Sequence, residues 1–205
     1  MLQNTTPKSL TIKLYLVFRI WQVAKNPKYN IITLLKGGIY MKEKLLLIAE
    51  KPSLMRELKE VYTNHKNEIN YDIDFMALAG HVCMYGKPND YEQWNKKWIE
   101  LDAYLPMVPE KWKINVMPDK KSLYSSIKEQ IEKNNYDGLI CATDADREGN
   151  LIFYFLEAKL NKKLKTYRFW VNDLTEKAIL KSYRNMVDLH KDKFQQDLTY
   201  ASILR

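Results

Sequence analysis

The chain alternates short apolar runs with amphipathic stretches. "KLLLIAE" (44–50) is an apolar run of strand length, and "KPSLMRELKEVY" (51–62) follows with Leu54, Leu58 and Val61 at helical spacing. Ser53 is the expected N-cap of that helix, because its hydroxyl can accept from a free first-turn amide. "YDIDFMALAGH" (71–81) alternates polar and apolar residues, predicting a strand that ends at Gly80-His81. "KWKINVMP" (111–118) alternates again, and in "KKSLYSSIKEQIEKN" (120–134) Leu123, Ile127 and Ile131 share one helical face. "DGLICAT" (137–143) predicts a short buried strand, and "GNLIFYFLEAKL" (149–160) a helix apolar almost all round. "TYRFWVND" (166–173) predicts a further strand, with Thr175 placed to cap the helix in "EKAILKSYRNMV" (176–187). Strands alternating with helices predict an α/β fold, a mostly parallel sheet flanked by helices.

One stretch breaks this rhythm. "YGKPNDYEQWNKKWIELDAYLPMVPEKWK" (85–113) has no clear period and three prolines, and reads as an ordered excursion from the sheet. Trp94, Trp98 and Trp112 are interleaved there with Lys96, Lys97, Lys111 and Lys113. Such a mixture can stack on bases and touch phosphates. Packing of the rings onto the core is the favoured reading for most of them.

Charge changes the picture less than its total implies. The 205 residues carry a formal charge of +8, but residues 1–40 hold six basic and no acidic residues. Removing those six from 33 leaves 27 basic against 25 acidic in residues 41–205, so the global excess is weak support for a polyanionic partner. Residues 1–40 read as a basic leader. The run "LYLVFRIWQVA" (14–24) is too short to span a bilayer and is interrupted by Arg19. Lys-Gly-Gly before Met41 is what a purine-rich ribosome-binding site yields when translated in frame, so Met41 is an expected start. Cys83 and Cys141 have no metal-ligand spacing, and a reduced, cytoplasmic chain is expected.

The candidate chemistry sits at strand ends. Glu50 directly follows "LLLIA", and Asp144 follows "LICAT", with Asp146 and Glu148 in the same "ATDADREGN" segment. In doubly wound sheets, ligands bind beyond the carboxyl ends of the strands. If the two strands are parallel neighbours, four carboxylates share one crevice and require a cation. An all-oxygen donor set suits a hard ion such as Mg²⁺, held by one or two carboxylates, waters and a substrate phosphate. The plainer reading of the triplet is a helix N-terminus favoured by the macrodipole.

"LLLIAEKPSLMREL", "AGHVCMYG", "LPMVPEKWKI", "ATDADREGNLI" and "YRFWVNDLTEKAI" occur in an order that resembles the toprim domain opening type IA DNA topoisomerases, most like the topoisomerase III branch. The resemblance covers nearly all of residues 41–205 and implies a Rossmann-like toprim fold over residues 41–190. Residues 191–205 resemble the start of a helix leading into a further domain. It implies that Glu50 donates a proton to the leaving 3′ oxygen and shares in metal binding, and that Lys51 contacts the scissile phosphate. It further implies that Asp144, Asp146 and Glu148 hold Mg²⁺, and that His81 and Arg168 lie near the site as DNA contacts. An ion pair between Arg168 and the acidic cluster is an open alternative. The implied partner is single-stranded or underwound DNA, with no membrane.

Two departures matter. Asn150 stands where the family usually has a further glutamate, which changes the local charge balance. None of the 14 tyrosines lies in anything like the family's nucleophile motif, so a second chain carrying the tyrosine domain is an expected complement and activity alone is not. A free-standing toprim nuclease or primase-like protein, and a non-catalytic remnant, are the competing readings.

Overall fold

The computed structural model describes residues 42–203 apart from 98–99, 101–103 and 161. The leader at 1–40 and Trp98 lie outside the described residues.

The apolar run becomes β1 (Glu43–Ala49), whose last five residues are all buried, as a strand covered on both faces must be. Helix α1 (Pro52–Asn64) returns the chain to β2 (Tyr71–Ala77), parallel to β1. Two short strands, β3 (Cys83–Tyr85) and β4 (Ile114–Val116), then form an antiparallel pair of their own. The strand expected in "KWKINVMP" therefore exists but lies outside the main sheet. Helix α2 (Lys121–Lys133) leads to β5 (Gly138–Ala142), which pairs with β1 on the side opposite β2. Helix α3 (Arg147–Leu160), β6 (Lys165–Arg168), helix α4 (Glu176–Arg184), the two-residue β7 (Val187–Asp188) and helix α5 (Lys193–Ile203) complete the order. The sheet runs β2-β1-β5-β6-β7, parallel except for β7.

Alternating side chains of one strand feed two cores. Leu46 and Ile48 pack with Leu139, Cys141, Ile127 of α2 and Phe153 of α3. Leu45 and Leu47 face the other way, onto Leu58 of α1 and Ile179 of α4. Helices thus cover both faces, the arrangement expected of a parallel sheet.

Two expected caps differ in detail. Lys51 occupies the N-cap of α1 with Pro52 at the first helical position, so Ser53 lies inside the first turn. Proline's fixed φ and missing N–H suit that position and set the boundary. Thr175 is at the N-cap of α4, but its hydroxyl donates to Asp173 (3.0 Å) instead of capping the helix.

In the excursion, Trp94 is buried against Tyr91 with ring centroids 5.0 Å apart, while Trp112 packs on Tyr85 at the same separation. Lys96 and Lys113 lie over the rings of Tyr104 and Tyr91. These contacts favour the packing reading over a base-stacking surface for the described aromatic residues.

The surface carries a pH response. Both ring nitrogens of His65 face carboxylates, Nδ1 to Glu68 at 2.8 Å and Nε2 to Glu176 at 3.0 Å. A neutral imidazole can donate only once, so this double contact favours the cation. The hydrogen bond to Glu68 leads in raising the His65 pKa, as that to Glu157 does for His190. A raised folded-state pKa contributes stability that is fully present below the ordinary value of 6.5 and is lost as pH rises through the folded-state value. Thermal melts should therefore show the melting temperature falling as pH rises past the ordinary histidine value of 6.5. The double variant His65→Gln, His190→Gln should flatten that slope; an unchanged slope would show that neither pair contributes.

Candidate functional site

The strand order reverses at the junction of β1 and β5, so their carboxyl ends open a crevice instead of being crossed by a connecting helix. Ala49 is in register with Ala142. Glu50 and Asp144 therefore emerge side by side although 94 positions separate them, and the Asp144 N–H donates to Glu50 Oε2 at 3.1 Å. The Glu50 side chain is only 12% exposed, with Oε1 3.4 Å from Lys51 Nζ, and Lys51 itself is 63% exposed. One carboxylate is thus held from two sides, and the neighbouring ammonium keeps most of its surface open to an anion as well.

The remaining acidic residues diverge. Asp146 Oδ1 accepts from the Gly149 N–H at 2.7 Å, closing the first turn of α3. Glu148 is exposed and lies 3.7 Å from His81 Nε2. Gly80, at φ 75°, makes the turn after β2 that precedes His81. Among the described residues no group of three His, Cys, Asp or Glu side chains forms a ready metal cage. The structure brings Glu50 and Asp144 together and leaves Asp146 and Glu148 in other contacts. Four carboxylates were expected to share this crevice; among the described residues Asp146 accepts from the Gly149 amide and Glu148 lies against His81, so the four do not form one ready cluster.

Arg168 also departs from expectation. It is 1% exposed. Its Nη1 donates to the Thr143 carbonyl at 2.9 Å and to Cys141 Sγ at 3.1 Å, and its Nε donates to Gln195 Oε1 at 3.1 Å. Its hydrogen bonds among the described residues go to these groups and not to the acidic cluster, and it has no surface to offer DNA. Its place on the inward face of β6 makes it a clamp on the turn that carries Asp144. Arg168 Nη2 and Asn150 Oδ1 on α3 are buried without hydrogen-bond partners among the described residues. Gln195 on α5 and Gly149 both serve this site without being candidates from the sequence. The "DREGN" motif contained the second, while nothing in the α5 sequence marked Gln195.

A cleft of about 300 Å³ adjoins the crevice, lined by Lys51, Asp144, Trp170, Asn172 and Leu174 among others. Trp170, which no sequence motif marks as a site residue, lines this cleft and stacks on Phe194 of α5. Burial pushes the Cys83 thiol up to about 11, so it stays protonated and takes no part in the site's chemistry.

Comparison with known proteins agrees with this architecture. A DNA topoisomerase 3 of Bacillus cereus is 35% identical over 150 residues, covering 70% of this chain and 20% of the relative. One from Staphylococcus aureus strain USA300 is 32% identical over 167 residues, covering 79% of this chain and 23% of the relative. The chain thus spans about a fifth of the length of these curated relatives. Full-length topoisomerase I from Thermotoga maritima shares the fold, with a TM-score of 0.50 and 17% identity over 78% of this chain and 23% of that one. Among the described residues no helix is long and apolar enough to cross a membrane. Residues 45–174 match the Toprim domain, and with the curated relatives this shows that the chain belongs to the toprim family, as a domain homologous to the N-terminal region of type IA DNA topoisomerases.

Proposed function

We propose that this domain supplies the acid and metal half of a type IA topoisomerase site, acting on a phosphodiester of single-stranded or underwound DNA. The observation that carries the reading is the 3.1 Å contact between the Asp144 amide and Glu50 Oε2 at the reversal of strand order, with Lys51 beside it. In this reading Glu50 hands a proton to the leaving 3′ oxygen, its side chain oriented by the Asp144 amide and Lys51. Lys51 acts as a point charge on the phosphate as negative charge develops there.

The donor set fits a divalent ion, and Mg²⁺ in particular. Glu50 and Asp144 offer carboxylate oxygens only, and an ion that keeps several waters and takes a phosphate needs no complete protein cage. Asp146 and Glu148 would support it directly or through water. The chemistry such an ion would supply, if held by these carboxylates, is neutralisation of charge on the phosphate. The attacking tyrosine of the whole reaction would come from another domain or from a second chain.

Calorimetry should show weak Mg²⁺ binding that is lost in the double variant Asp144→Asn, Asp146→Asn, and binding to a single-stranded oligonucleotide should gain from Mg²⁺ only in the unaltered protein. Equal Mg²⁺ binding in the double variant would reject the site. Metal-dependent nicking of plasmid DNA by the chain alone would replace this reading with that of a toprim nuclease.

A further inference from the structure

We propose that the Trp170–Phe194 stack is a platform for an unpaired nucleobase of the strand whose phosphate lies at Lys51; this rests on the DNA reading above and deepens it. The two rings lie 5.5 Å apart and 4° from parallel. Both are conspicuously open, Trp170 at 45% and Phe194 at 54% exposure. Trp170 is also held in place. Its indole N–H donates to Asn172 Oδ1 at 2.8 Å, and its carbonyl accepts from Ser182 Oγ at 2.5 Å. An exposed ring fixed by its backbone, a neighbouring amide and a parallel partner can receive a flat group at little cost in side-chain entropy.

Charge selects what that group is. Trp170 lines the same cleft as Lys51, together with Glu57, Asp144 and Asp173. Lys51 is the single cation among these charged groups, so a phosphate is favoured beside it and repelled from the rest of the cleft. The part of a nucleotide suited to the Trp170 side is therefore its uncharged base, which stacks through a π-face that every base possesses. Asn172 has its oxygen engaged by the indole and its amide N–H groups left to meet base carbonyl oxygens, which disfavours adenine, the one base without a carbonyl. The platform would thus hold a base next to the reacting phosphate and set the path of the strand across the crevice.

The test uses the full chain with Mg²⁺ and two end-labelled strands of about eight nucleotides, one of oligothymidylate and one abasic with the same number of phosphates. Anisotropy should show the base-bearing strand bound about tenfold more tightly, in line with the stacking of one base. Trp170→Ala should lose that preference while binding the abasic strand as before, and Trp170→Phe should keep most of it. Because the alanine variant removes a ring from the α5 contact, a second measurement is needed that does not depend on its folding. Oligothymidylate should quench part of the tryptophan emission of the unaltered protein, and that part should be missing in Trp170→Phe. Tight binding of both strands without preference, a preference surviving Trp170→Ala, or quenching unchanged in Trp170→Phe would each overturn the platform and leave the DNA reading standing. Failure to bind either strand would overturn both.

Discussion

Replacing Gly149 by alanine should destabilise the domain by about 3 kcal/mol and abolish Mg²⁺ binding, although alanine is the better helix former. A Cβ at this position would lie 2.2 Å from the Asp144 carbonyl oxygen and 2.8 Å from the Asp144 nitrogen. Both obstacles are backbone, so no rotamer change relieves the clash. The turn is further closed by Thr143 Oγ1, which donates to the Gly149 carbonyl at 2.8 Å. Either α3 must withdraw or the Asp144 turn must shift away from Glu50. The propensity gain for Gly→Ala within a helix is at most about 1 kcal/mol, well below the cost of forcing apart backbone packed this closely. Urea denaturation read beside calorimetry decides the matter. A variant as stable as the parent, or more so, with Mg²⁺ binding intact, would show that the close approach of α3 to the Asp144 turn is not what shapes the site.

Arg168→Ala should cost about 3–5 kcal/mol, and Arg168→Lys roughly 1–3 kcal/mol. The alanine variant empties a large buried volume and leaves Gln195 Oε1 and the Thr143 carbonyl without their donor. Lysine restores a charge and part of the volume. Its compact ammonium lacks the planar fork that reaches Thr143 and Gln195 at once. Buried charges are often replaceable by well-packed apolar groups without loss. Here the replacement also strands acceptors on two other elements, and that is the term expected to dominate. If denaturation midpoints of Arg168→Ala fall within about 1 kcal/mol of the parent, the guanidinium is not the tie between α5 and the Asp144 turn. The lysine variant also separates two roles. A surface DNA contact would tolerate lysine with little change in stability, whereas a buried clamp would not.

Much of the fold was legible along the chain because its signals are local. "LLLIA" and "LICA" are uninterrupted apolar runs, and a strand covered on both faces needs no alternation. The helical spacing of Ile127 and Ile131 placed α2, since both positions are buried on one face. Local signals misjudged boundaries where two residues compete for one role. Pro52 fixed the start of α1 one position ahead of the hydroxyl of Ser53, and Asp173 took the hydroxyl of Thr175. The alternation in "KWKINVMP" correctly marked a strand but carried no information about its partner, which proved to be Cys83–Tyr85 and not the main sheet.

The sequence by itself determined the alternation of strands and helices, the carboxylates at two strand ends and the likeness to the toprim family, because each of these is written in neighbouring residues. Tertiary structure alone decided what each of those carboxylates contacts. Parallel register between β1 and β5 brings Glu50 to the Asp144 amide, while Asp146 accepts from the Gly149 amide in the first turn of α3 and His81 lies against Glu148. It also decided that Arg168 faces inward, since strand alternation leaves open which face is buried beneath a helix, and α5 supplies Gln195 from 27 positions away. A side chain's chemistry is local, but its partners depend on register and packing between segments far apart along the chain.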